Sequence, residues 1–201
     1  MEAHGAFTGV VRDSLANVFN SDAARYPGVE PTAGAIYRAN LSRTQLTHTV
    51  AAITSAVIQS VPLYFAQGET ITSLSWFSGS TALGTPANTW AALYSPANVL
   101  LGQSTDQPAI TWGANAVKTF TLATPVIAPA SGFYRAALMV KATTMPTHVG
   151  VNLVHANNST AFMATGDLIL SATSDTAMTT TAPAALGTLT GVVGVPMVVA
   201  R

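Results

Sequence analysis

The chain contains no cysteine, so disulfides and thiolate metal sites are excluded. Acid–base or metal chemistry would have to come from four histidines (His4, His48, His148 and His155) and eight acidic residues. His148 and His155 stand seven residues apart, and an odd offset along one extended strand points them to opposite faces. No His-x-His or His-Glu-x-x-His spacing accompanies them. Serine is abundant, but there is no Gly-x-Ser-x-Gly elbow to expose a nucleophile. Glycoside hydrolysis needs two carboxylates facing one bond. Beyond residue 44 only Glu69, Asp106, Asp167 and Asp175 are available for that. Asp106 in STDQP and Asp167 in ATGDL sit in turn-like contexts, where Asp commonly bonds its own backbone. The Gly-rich GTLTGVVGV lacks the Lys-Ser/Thr of a phosphate loop. We therefore expect no catalytic residue, no metal and no cofactor. Stacking of sugar rings on aromatic side chains is the remaining chemistry. Trp112, in the loop-like PAITWGAN, is the first candidate glycan contact, with Trp90 and Tyr94 beside it. Against this, Trp in an alternating strand is ordinarily core.

The elements that would carry these residues read as strands. THTVAAIT and VIQSVPLYFA are apolar, β-branched runs, and Pro62 places the second at a sheet edge or a bulge. ETITSLSWFSG alternates, with Thr70, Thr72, Leu74 and Trp76 on one side and Ile71, Ser73, Ser75 and Phe77 on the other. The Gly and Pro of residues 79–86 read as a loop. Trp90, Ala92 and Tyr94 share one face of the next strand, and Ala91 and Leu93 the other. Ser95-Pro96-Ala97-Asn98 suits a type I turn, after which VLLGQS returns. AVKTFTLA, GFYRAALMVKA, THVGVNLVHA, GDLILSA and GVPMVVA supply the remaining strands. Many short strands separated by turn signals predict a β-sandwich or barrel, not βαβ units. Leu93, Leu101, Phe120, Leu122, Leu138 and Val140 are expected in its core.

Residues 1–43 differ. They hold four Arg and four acidic residues, half of all the charge in the chain. VRDSLANVFN predicts one short helix, and Pro27 and Pro31 then break regular structure. The segment is too short for a core of its own. It reads as an arm anchored by Phe7, Val10, Leu15, Val18, Phe19 and Tyr26, with Arg12, Arg25 and Arg38 making polar contacts to a neighbouring subunit or an underlying lattice. Residues 44–201 form the β-domain.

Charged residues are 8% of the chain, against roughly 25% in an average soluble domain. Formal net charge is zero, so no nucleic-acid or anionic-membrane partner is expected. The N-terminus lacks the basic and apolar regions of a signal peptide, and the apolar GVVGVPMVVA is too short to span a bilayer. A neutral surface this bare favours association, because interface cores are depleted in charge.

One stretch resembles a known family. Asn88, Trp90, Ala92, Leu93 and Tyr94 are followed by Asn98, Leu100, Leu101, Gln103 and Ser104, then by Trp112, Ala114, Asn115, Lys118, Thr119, Leu122, Pro125 and SGFYRAALMV. With the preceding QGETITSLSWFSGSTAL, this pattern is similar to a module of virion proteins from phages that infect actinobacteria. It covers roughly residues 60–145. The resemblance implies a jelly-roll-like antiparallel β-sandwich in a head-decoration, head-fibre or minor tail protein. Ser95-Pro96-Ala97-Asn98 departs from the family pattern, where an Asp and a Gly are common, and implies a shifted turn. The expected protein is thus a non-enzymatic capsid decoration protein located in the virion. Its expected partners are further copies of itself, in a trimer or another symmetric homo-oligomer, and the major capsid or tail protein of the same virion. The alternative is a minor tail protein or a receptor-binding tail module that takes a host-surface glycan.

Overall fold

The computed structural model describes residues 36–50, 52–152, 164 and 167–201. Among the described residues thirteen strands follow in chain order: β1 (Arg38–Ala39), β2 (Thr47–Val50), β3 (Ile58–Phe65), β4 (Thr70–Phe77), β5 (Gly84–Tyr94), β6 (Leu100–Gln103), β7 (Val117–Ile127), β8 (Gly132–Thr144), β9 (His148–Asn152), β10 (Ala172–Ser174), β11 (Thr190–Gly191), β12 (Gly194–Pro196) and β13 (Val198–Ala200). A 3-10 turn over Arg43–Gln45, capped by the Ser42 hydroxyl, joins β1 to β2.

Three antiparallel pairs nest within one another: β3 with β8, β4 with β7, and β5 with β6. This is the winding of a long ribbon folded over on itself, as in a jelly roll. It yields a six-stranded sheet ordered β11-β10-β3-β8-β5-β6 and a four-stranded sheet ordered β1-β13-β4-β7. A third, three-stranded sheet runs β12-β9-β2. The chain is an all-β sandwich, as its sequence pattern predicts. The main core holds Leu93, Phe120, Leu122, Leu138 and Val140, all buried, with Leu101 half-buried against them.

Local irregularities correct several sequence expectations. Ile71 shares the core with Leu74 and Trp76 and does not oppose them, because the β4–β7 register slips between Ile71 and Ser73. A bulge flips the faces on one side of the slip. Pro125 lies inside β7, opposite that slip. Gly84–Pro86 belongs to β5 and not to the preceding loop. Pro62 is at a local edge inside the sheet: β10 pairs with β3 only over Ile58–Ser60, so beyond that point β3 has β8 on one side alone. The hairpin turn is as expected in its first half, with the Asn98 N–H donating to the Ser95 carbonyl at 2.8 Å. Asn98 then takes φ 61°, the left-handed position where Gly or Asn is tolerated. The β5–β6 register shifts beside it.

The boundary between arm and domain also moves. Arg38 and Ala39 pair with Ala200 and Val199, so the last residues of the expected arm belong to the sandwich. Arg38 makes its polar contact within its own chain, in an ion pair with Glu69. The expected helix and Phe7, Val10, Arg12, Leu15, Val18, Phe19, Arg25 and Tyr26 lie outside the described residues.

Candidate functional site

The three candidate glycan contacts are core residues. Trp90 and Tyr94 are 0% exposed and Trp112 is 2% exposed, so none offers a ring face to a sugar. The cause is a strap. Residues 178–189 cross the outer face of the six-stranded sheet and bury Trp90, Ala92, Tyr94, Ala137 and Met139 under Met178, Ala182, Leu186 and Leu189. The indole N–H of Trp90 donates to the Thr179 carbonyl at 2.7 Å, and the Tyr94 hydroxyl to the Pro183 carbonyl at 3.2 Å. The Gln103 side chain accepts from the Ala182 N–H at 2.7 Å. Burial, with Asp175 adding to it, pushes the Tyr94 hydroxyl above its ordinary pKa. Trp112 lies on the other side of the sheet, in the main core, with its N–H on the Ala116 carbonyl at 3.0 Å.

His148 shares that core. Its ring meets Trp112 edge-on at 5.5 Å and Trp76 at 6.2 Å. It is fully buried, and neither of its ring nitrogens has a hydrogen-bond partner of normal geometry among the described residues. Burial pushes its pKa down to about 4, opposed weakly by the Phe77 backbone. A neutral imidazole between two indoles, with no acid beside it, is built as packing. His48 lies on β2, while His4 and His155 lie outside the described residues.

The carboxylates of the β-domain serve as latches. Asp106 accepts from the Thr89 N–H at 2.8 Å and from the Asn88 amide at 2.7 Å, fastening the chain after β6 to β5. Asp167 accepts from the Ala164 N–H at 2.8 Å, the local turn bond its sequence context suggests. Asp175 accepts from the Gly187 N–H at 2.9 Å. Glu69 takes Arg38 and the Ala66 N–H. No three His, Asp or Glu side chains converge among the described residues.

A groove of about 470 Å³ lies on the outer face of the four-stranded sheet. Alternation builds its floor. Val198 and Ala200 of β13 point into the main core, while Val199, and Met197 just before the strand, face outward to join Tyr37. On β4 and β7 the outward pairs are Phe77 with Val117 and Ser75 with Thr119, the latter joined through their hydroxyls at 2.8 Å. Leu46, which ends the 3-10 turn before β2, and Val149 of β9 form one wall. The groove continues past Phe77 and Val117 into a second hollow of about 450 Å³ bounded by Ser78, Asn115 and Ala116. Val117 is 56% exposed. Arg43 and Arg201 line the first hollow, and the Arg201 guanidinium stacks over the Tyr37 ring at 5.2 Å. Among the described residues no acidic side chain lines either hollow.

Sequence reading did not single out this groove. The available signal was the unbroken apolar run PMVVA, since a strand apolar on both faces needs a cover on both. Comparison with known proteins adds no assignment: no protein-family model matches the chain, and no curated protein sequence matches it.

Proposed function

We propose that the chain is a non-enzymatic structural protein of a bacteriophage virion, an accessory protein that decorates the capsid lattice. The apolar groove on the outer face of the four-stranded sheet carries this reading. Tyr37, Met197 and Val199 on its floor, beside exposed Val117, have the composition of an interface core: aromatic, aliphatic and nearly free of acid. The charge-poor chain around it suits a surface that is covered in an assembly. The resemblance of residues 60–145 to virion modules supports a phage particle as that assembly. The proposed partners are further copies of the chain, in a trimer or another symmetric oligomer, and the major capsid protein. The leading part of the arm, with Phe7, Val10, Leu15, Val18 and Phe19, is proposed to add to the attachment. The glycan-binding alternative loses its aromatic platform, because Trp90, Tyr94 and Trp112 are buried.

The test is Val117→Asp, a change at an exposed position that leaves the core intact. A carboxylate placed in a buried apolar contact should weaken binding to particles at least about tenfold, the effect of roughly 1.4 kcal/mol. Occupancy equal to that of the unsubstituted chain would overturn the reading.

A further inference from the structure

Arg43 and Arg201 line the groove on the four-stranded sheet, and both are exposed. The ion pair found among the described residues joins Arg38 to Glu69, so neither groove arginine has a counter-charge there. The Arg201 guanidinium is held over the Tyr37 ring at 5.2 Å, which fixes its charge above the apolar floor. An occupant that fits is apolar and carries a carboxylate, because complementary charge selects a partner and like charge repels one.

A described segment of the same chain has that chemistry. Of the four acidic side chains among the described residues, Glu69 is held by Arg38, Asp106 and Asp175 are half-buried latches, and Asp167 is exposed. One oxygen of Asp167 accepts from the Ala164 N–H at 2.8 Å, and the other has no partner among the described residues. Leu168 and Leu170 follow, 38% and 41% exposed. The backbone beneath them is anchored. Arg135 Nη2 donates to the Ile169 carbonyl at 3.2 Å, and Ser171 and Ala172, both fully buried, lead into β10. A carboxylate and two leucines presented on an anchored backbone lose little freedom on binding.

The two surfaces lie on opposite sides of the sandwich. Ala137 and Met139, which share a face of β8 with Arg135, are buried under the strap, so Arg135 also faces outward from the six-stranded sheet. Residues 167–170 therefore lie over that sheet, whereas the groove lies over the four-stranded one. They cannot meet within one chain. Between two copies they can meet head to tail, in a contact that closes into a ring when the rotation between copies divides a full turn. Pairing of groove with groove would instead bring Arg43 and Arg201 of two copies together, with no acid among the described lining residues to separate them.

We propose that the groove is filled by residues 167–170 of a second copy of this chain, with Leu168 and Leu170 on the floor of Met197 and Val199 and Asp167 beside Arg43 and Arg201. This rests on the reading of the groove as an interface core and names its occupant.

The test is sedimentation velocity of the purified full chain and its variants. The unsubstituted chain should self-associate as its concentration rises. Asp167→Lys and Arg43→Glu/Arg201→Glu should each weaken that association at least about tenfold. An equimolar mixture of the two should recover it, because copies with an intact groove then meet copies with an intact Asp167. Recovery also shows that both variants are folded. Leu168→Gln, which keeps Asp167 and its bond to Ala164, should weaken association as well. A chain that is monomeric at every concentration, an Asp167→Lys variant that associates like the unsubstituted chain, or a mixture no better than its components would overturn the proposal. Val117→Asp separates this from the reading beneath it. If Val117→Asp lowers particle occupancy while Asp167→Lys leaves self-association unchanged, the groove holds a different partner: the proposal falls and the interface reading stands. If Val117→Asp changes neither occupancy nor self-association, both fall.

Discussion

Trp90 and Thr179 are joined by a 2.7 Å hydrogen bond between residues 89 positions apart, and that bond fastens a strand of the six-stranded sheet to the strap above it. The strap has little regular structure of its own. It is held by side chains of the sheet and by backbone bonds such as Leu100 N–H to the Ala184 carbonyl and Leu186 N–H to the Asn98 carbonyl, both 2.9 Å. Trp90→Phe keeps most of the ring and strands the carbonyl. It should cost about 1–3 kcal/mol, from the lost hydrogen bond and from the space left where the fully buried indole was. Amides of residues 178–186 should exchange faster in the variant. Unchanged exchange there, measured by mass spectrometry, would show that the strap does not depend on this bond.

His148 should make stability depend on pH. Its folded pKa of about 4 lies below the ordinary 6.5, so between these values the unfolded chain binds the proton and the folded chain does not. The contribution is fully present above pH 6.5 and is lost as pH falls towards 4, amounting to about 3 kcal/mol in total. Urea midpoints should therefore fall between pH 7 and pH 5. His148→Phe, which fills the space between Trp76 and Trp112 with a ring that does not titrate, should flatten that slope. Parallel slopes in the two proteins would contradict the assignment.

Gly150 marks the tightest approach in the third sheet. A Cβ there would run into the Val195 carbonyl oxygen and lie 2.9 Å from Pro196 Cα, so neighbouring backbone would have to move. Gly150→Ala should cost about 1–3 kcal/mol or more by forcing β12 away from β9. The groove would feel this change, because Val149 and Met197 adjoin the displaced strands. Thermal unfolding of the variant at the unsubstituted temperature would show that β12 yields without penalty.

What the sequence made legible follows the strength of its periodicity. Phe120 and Leu122 alternate with Thr and Ala, Leu93, Leu138 and Val140 sit in strongly apolar β runs, and all five are buried. Ile71 was misplaced, because a bulge changes the count of residues without changing their order. WAALY was ambiguous in a different way. It is apolar on both faces, and which residues would be covered depended on a Thr/Ala stretch more than 80 positions away that carries no pattern of its own. The misreading of Trp90 and Tyr94 as glycan contacts comes from that distance. The groove escaped notice for a related reason: Tyr37, Phe77, Val117 and Met197 come from four separated segments, and only the pairing of β1, β13, β4 and β7 brings them together.

The proposed place of the protein in a phage particle is tested most directly by immunogold electron microscopy. Particles of the phage that the proposal implies would be purified and labelled with antibody against the sandwich domain. The account predicts gold distributed over the capsid surface of intact heads. Heads without label, whether the gold is confined to tails or the chain stays in the soluble fraction, would contradict it.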